Sequence, residues 1–412
     1  MKHIFLYAIP CLMFRECEKI FFCLSLRIKI QLFFAMKHPL VYIIMLIMMV
    51  TSCATDPDYL CFEVRAGTSV SLVKRSPVDP DIQYSFDKKE WNDLDSVVVQ
   101  QNCRVYFKGV NPDGINKDSF HSLQFCVSDT FKCSGNIMTL IDGVGETTTI
   151  PCNYCFIRLF KGCPMTTAPK LPATELTDGC YESMFSDCRC LTVAPELPAT
   201  KLSEYCYYSM FKGCSSLTAA PKLPATILTG WCYQEMFWDC SSLVAPPKLP
   251  ATKLAICCYR WMFSECVSLS TAPQLPATSL ATACYNGMFY NCSRLTAAPT
   301  LPAKILSPWC YSNMFVGCAS LTKAPKMDAT VLARGCCTRM FQYCAKLNRV
   351  SVDFSSWGET IYADFDGEEN CPFGTHSWLD GVATNGTFTS SADLPDQRGA
   401  GFIPDGWKIV RK

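Results

Sequence analysis

The stretch CYYSMFKGCSSLTAAPKLPATILTGW, Cys206–Trp231, is followed at once by CYQEMFWDCSSLVAPPKLPATKLAIC, Cys232–Cys257. The Met-Phe pair in it recurs at Met184-Phe185, Met210-Phe211, Met236-Phe237, Met262-Phe263, Met288-Phe289, Met314-Phe315 and Met340-Phe341, always 26 residues apart. A degenerate copy, CFIRLFKGCPMTTAPKLPAT (Cys155–Thr174), precedes them and is one residue shorter. A fixed period of this length marks a stacked repeat array, in which each unit packs mainly on its neighbours.

Within a unit, Leu202, Cys206, Tyr207, Met210, Phe211 and Cys214 fall at i, i+4, i+8 spacing, which predicts a helix with one apolar face. Thr200 would cap its start, and Gly162, Gly213 and Gly317 would close helices on a left-handed residue. Leu217–Ala220 alternates as a short strand does, and Pro221, lacking a backbone N–H, ends it. The predicted fold class is therefore an α/β solenoid, a leucine-rich-repeat-like array of strand–helix units over residues 151–350. Strands stack at about 4.8 Å and helices need about 8–10 Å, so the array should curve with its strands on the concave side.

The signature C-Y-x-x-M-F-x-x-C-x-S-L-T-x-A-P-x-L-P-A-T-x-L resembles the repeats of BspA-like leucine-rich-repeat surface proteins of Bacteroides-type bacteria. The segment GNIMTLI (Gly135–Ile141) and the tail WLDGVATNGTF…GFIPDGW are similar to their flanks. The resemblance implies a surface-exposed lipoprotein that binds host or microbial macromolecules, and it names no ligand.

Each unit carries two cysteines, in ladders running Cys180 to Cys336 and Cys188 to Cys344. On a helix, eight residues span about 12 Å. A disulfide needs Cα atoms within about 7 Å, so the pair within a unit could not join. Free cysteine behaves as a small buried hydrophobe, and the ladders read as inter-repeat packing. Cys152-Asn-Tyr-Cys155 is a lone CxxC without the second pair of a zinc ribbon. Cys61, Cys103, Cys126, Cys133 and Cys371, outside the ladders, leave disulfides in the flanks open.

At the start, Met36 opens MKHPLVYIIMLIMMVTSC, a short basic head, an apolar run of signal-peptide length and small residues. Val50-Thr51-Ser52-Cys53 resembles a lipobox, which would make Cys53 the lipidated first residue of the mature chain; ordinary cleavage with Cys53 unmodified is the alternative. Residues 1–35 lack an export pattern and read as a spurious extension, so 1–52 is a signal region. Residues 53–150 read as a small sandwich-like β domain. Residues 351–412 read as a β-rich cap, with a hairpin at Asn385-Gly386 and a turn at Asp405-Gly406.

With 37 basic and 36 acidic residues, charge gives no argument for nucleic acid. Beyond the proposed cleavage site only His121 and His376 remain, neither in a catalytic motif, and no acid recurs at a fixed repeat position. No catalytic residue, metal site or cofactor is predicted. On the expected helices the outward positions hold Tyr205, Tyr208, Trp231, Trp238, Arg260, Tyr290 and Trp309, with Trp261 at the edge. Solvent-facing positions normally carry charge, whereas Tyr, Trp and Arg dominate interaction hot spots. These eight are the predicted ligand-binding residues, unless they pack on one another instead. The polar strand side, with Thr218, Lys222, Thr296 and Lys326, is the rival face. The sequence thus predicts a non-catalytic cell-envelope protein, held on an outer membrane or cell surface by lipid at Cys53, that binds a protein or glycan. A structural envelope role without an external ligand is the alternative.

Overall fold

A computed structural model describes residues 56–75, 79–358, 362–363, 370–371 and 374–412, and residues 58–412 form one compact unit. The predicted signal region 1–52 and Cys53 lie outside the described residues. No helix among the described residues is long and apolar enough to cross a membrane.

The predicted strand–helix units do not form. Among the described residues there is one helix, α1 (Thr139–Asp142), outside the array. Each repeat is instead a train of tight turns. In one unit the N–H groups of Cys206, Tyr208, Met210, Lys212 and Cys214 each donate three residues back. The intervening groups, on Tyr205, Tyr207, Ser209, Phe211 and Gly213, donate forward to the next repeat, to Gly230, Cys232, Gln234, Met236 and Trp238. Half of this backbone is thus satisfied locally and half between units. In this unit all ten N–H groups are thereby paired, as a buried backbone requires.

The turns repeat every four residues, and each period contains one residue of positive φ: Tyr205, Ser209 and Gly213, then Trp231, Glu235 and Asp239, then Cys257, Trp261 and Glu265. A true helix advances about 100° per residue, so four-residue steps drift by about 40° each and would scatter Leu202, Cys206, Met210 and Cys214 over about 120°. In the turn train they stay in register. The glycines read as helix ends, Gly162, Gly213 and Gly317, hold the third left-handed position of their units, and Thr200 has no helix to cap. Leu217–Ala220 contributes a single parallel bridge, Ala219 to Ala245, rather than a strand. The helix row on which the predicted curvature rested is absent among the described residues, so a concave face no longer follows from it.

Two aromatic ladders run through the core. Phe160, Phe185, Phe211, Phe237, Phe263, Phe289, Phe315 and Phe341 stack with centroids 5.5–5.8 Å apart. Phe156 and the tyrosines 181, 207, 233, 259, 285 and 311 stack at 5.7–6.1 Å. Such contacts add roughly 0.5–1.5 kcal/mol each beyond area burial. The cysteines from Cys61 to Cys344 are all free thiols. The second cysteine ladder hydrogen-bonds: the thiols of Cys214, Cys240, Cys266, Cys292 and Cys318 each donate at 3.1 Å to the Phe carbonyl one repeat back.

Two antiparallel sheets precede the array. One has the order β4 (Asn92–Asp93), β3 (Gln83–Ser85), β6 (Cys103–Lys108), β1 (Leu60–Val64), β8 (Lys132–Ser134); the other has β5 (Ser96–Val98), β2 (Ser69–Lys74), β7 (Leu123–Val127). Phe62 of β1 and Phe107 of β6 meet Phe125 of β7 between them, and Phe125 stacks on Phe160 to begin the phenylalanine ladder. The shorter first repeat shows as a register change. Phe160 donates 24 residues ahead, to Met184, where Phe185 donates 25 ahead, to Met210.

Past Val350 the train makes one more coil. Cys337, Arg339, Phe341 and Tyr343 donate to Gly374, His376, Trp378 and Asp380, so Trp378 stands at the methionine position of this coil and meets Phe341 at a tilt, with centroids 6.4 Å apart. The array's bridge column continues as a parallel sheet of β9 (Arg349–Ser351), β12 (Thr387–Ser390) and β13 (Lys408–Arg411), beside a small pair β10 (Tyr362–Ala363) and β11 (Asn370–Cys371). The predicted Asn385-Gly386 hairpin is therefore wrong: β12 pairs only in parallel. Gly386 serves a close approach, because a Cβ there would meet the Trp407 ring at 2.5 Å.

Candidate functional site

Within each four-residue turn the two residues after the left-handed one point inward, while the left-handed residue and its third neighbour are half-buried in some turns, as at Tyr205 and Tyr208, and buried in others, as at Ser209, Ala283 and Asn286. The eight residues singled out above occupy these outer positions, and each is half-buried. Tyr205 stacks on Trp231 at 4.9 Å and 5°, and meets Tyr208 edge-on at 6.0 Å. Trp238 stacks on Trp261 at 5.6 Å; Trp261 meets Tyr290 edge-on at 5.1 Å, and the Arg260 guanidinium lies 5.9 Å from the Trp261 ring.

One carboxylate joins the two groups. Glu235 accepts from Tyr208 Oη at 3.3 Å, Ser209 Oγ at 3.2 Å, Gln234 Nε2 at 3.4 Å and Lys212 Nζ at 2.8 Å. Lys212 in turn sits 4.1 Å over the Trp238 ring. Burial, then the Glu235 charge, pushes the Tyr208 hydroxyl up to about 12, so it remains a donor at neutral pH. All of the predicted residues except Trp309 therefore belong to one connected patch. Trp309 stands apart under the guanidinium of Arg334, 4.8 Å away.

Sequence reasoning missed Glu235 as the hub. Its carboxylate serves the preceding repeat, a relation invisible without the stacking register. It also missed Arg334 and the Glu265–Asn291 hydrogen bond of 2.8 Å. On the rival face Thr218, Lys222, Thr296 and Lys326 are all exposed, with Lys326 paired to Asp328 at 2.7 Å. His121 is paired with Asp118 at 3.0 Å, whose carboxyl is held below its usual range by the histidine. Among the described residues no group of three or more His, Cys, Asp or Glu could hold a metal ion.

Comparison with family models, with curated proteins and with solved structures found no match to this chain.

Proposed function

We propose that the patch from Tyr205 to Tyr290 is a docking surface for a protein or glycan, on a protein held at the cell envelope by lipid at Cys53, non-catalytic and independent of any cofactor. The observation that carries this reading is the composition of one contiguous face: Tyr, Trp and Arg side chains, half-exposed, pre-stacked on one another. Rings fixed in this way lose little conformational freedom when a ligand covers them. Trp309 with Arg334 forms a second, smaller point on the array. The resemblance of the repeat signature to BspA-like surface proteins supports the placement outside the cell.

The test is capture of glycans and extracellular proteins from arrays by the full chain and by Trp231→Ala, Trp238→Ala and Trp309→Ala variants. Loss of capture with the melting midpoint held would support docking. Collapse of melting would mean the rings are core. Protease shaving of intact cells, with Cys53→Ala for comparison, tests the location. A structural envelope role is the second reading, and one observation favours it: each ring is already covered on one side by a neighbour, so the face is satisfied without a ligand.

A further inference from the structure

Cys152 lies outside the cysteine ladders, and Cys155 beside it heads the first of them, one repeat before Cys180. The ladders lie in the repeat core, whereas Cys152 is half-buried at the point where the β domain meets the first repeat, and Cys155 beneath it is fully buried. Gly114, at φ +89°, makes room for both. A Cβ on Gly114 would lie 2.2 Å from Cys152 Sγ and 3.2 Å from Cys155 Sγ, so the sulfurs are no farther apart than the sum of those distances, 5.4 Å. The backbone of the pair is pinned. Thr177 Oγ1 donates to the Cys152 carbonyl at 2.6 Å, and the buried Asn116 Nδ2 donates to the Cys155 carbonyl at 2.9 Å. Cys152 Sγ also contacts the Asn116 carbonyl at 2.9 Å.

We infer that Cys152 and Cys155 form a thiol–disulfide exchange site, in which Cys152 reacts with an external disulfide and Cys155 resolves the product. Cys152 loses its proton to water, and its sulfur attacks one sulfur of a disulfide RS–SR, forming Cys152–S–SR and releasing RS⁻. Cys155 then gives up its proton and attacks the Cys152 sulfur, closing the Cys152–Cys155 bond and expelling the second RS⁻. Two protein thiols are oxidised and one external disulfide is reduced to two thiols. The order of attack follows from access, since an external disulfide meets Cys152 first. Acidity runs the same way. The Cys155 thiol donating to Cys152 holds its pKa below the usual thiol value, with Lys117 assisting against burial and Asp113, while burial pushes Cys155 well up.

The experiment incubates the reduced full chain, folded, with excess oxidised glutathione. It then quenches in acid, alkylates under denaturing conditions without reduction, and maps the peptides. The expected result is a Cys152–Cys155 linked peptide, unalkylated at both sulfurs, before Cys103, Cys126 or Cys190 is modified and with the ladder cysteines from Cys180 onward alkylated. Cys155→Ser should stop at one glutathione on Cys152. Cys152→Ser should lose both the adduct and the link, leaving Cys155 alkylated. The wild-type map decides the matter even where a variant folds poorly. Even modification of the half-buried cysteines without the link, or glutathione first on Cys155, would overturn the assignment.

Discussion

The indole of Trp261 lies across the backbone of Gly287, one repeat later: a Cβ on Gly287 would sit 2.4 Å from the ring. Both residues have positive φ, +55° and +62°, at the second left-handed position of their units. The relation recurs through the array. A Cβ on Gly179 would lie 2.2 Å from the Tyr154 ring, one on Gly213 2.6 Å from Asp187 Oδ1, and one on Gly317 2.0 Å from Asn291 Oδ1. At these sites a side chain on one left-handed residue occupies the space a Cβ on the next would need; elsewhere successive left-handed residues stack flat, as Trp231 does on Tyr205, or hydrogen-bond, as Asn291 does to Glu265.

Gly287→Ala should therefore cost more than backbone strain alone, about 1–3 kcal/mol at such a site. In urea denaturation Trp261→Ala combined with Gly287→Ala should recover part of that loss. Additive costs in this double-mutant cycle would show that the ring and the glycine do not share the space.

In the phenylalanine ladder, Phe237→Ala should cost about 3–5 kcal/mol and Phe237→Leu much less, since leucine keeps most of the volume while losing the ring stack. Phe237 is fully buried between Phe211 and Phe263. An early unfolding step confined to one side of the substitution is also expected, because units are coupled only to neighbours. Equal costs for the two variants would contradict a stacked ladder.

The period, the core identities Met210 and Phe211 with their equivalents, and the outward placement of Tyr205, Trp231 and Trp238 were all readable from the sequence. The helix was a misreading with a physical cause. A spacing of four falls close enough to 3.6 that Leu202, Cys206, Met210 and Cys214 pass as a helix face over three turns. The discriminating signal was present in a different column. Gly162, Asp187, Gly213, Asp239, Asn291 and Gly317 align at one repeat position, and these residue types share tolerance of positive φ. The hub at Glu235 had no such signal, because a glutamate in a left-handed turn looks like any surface acid until the neighbouring repeat is placed beside it.

Stability should fall steeply in alkali. Burial raises the Cys180, Cys232 and Cys284 thiols from 9.0 to about 12. In the unfolded chain these groups ionise near pH 9, while in the folded chain they stay protonated, so the unfolded state binds fewer protons above that pH. Their contribution is complete below about pH 9 and is lost as pH rises toward 12, each such thiol adding up to about 1.4 kcal/mol per pH unit to the slope. Urea midpoints taken from pH 8 to 11 should drop accordingly, and Cys232→Ala should flatten the curve. A midpoint constant across that range would mean the thiols are not held in the core.

The Glu235 hub predicts an asymmetry. Removing Lys212, whose side chain is 38% exposed, leaves the carboxylate with three neutral donors from Tyr208, Ser209 and Gln234. Lys212→Met should therefore cost less than about 1 kcal/mol, as for a partly solvated pair. Removing Glu235, whose side chain is 10% exposed, strips the acceptor from all four donors at once, and Glu235→Ala should cost about 2 kcal/mol or more. Because Lys212 lies over Trp238, both variants should also shift the tryptophan emission, Glu235→Ala by more. Equal destabilisation by the two substitutions would mean the ion pair itself, rather than the donor cluster around the carboxylate, holds the two aromatic groups together.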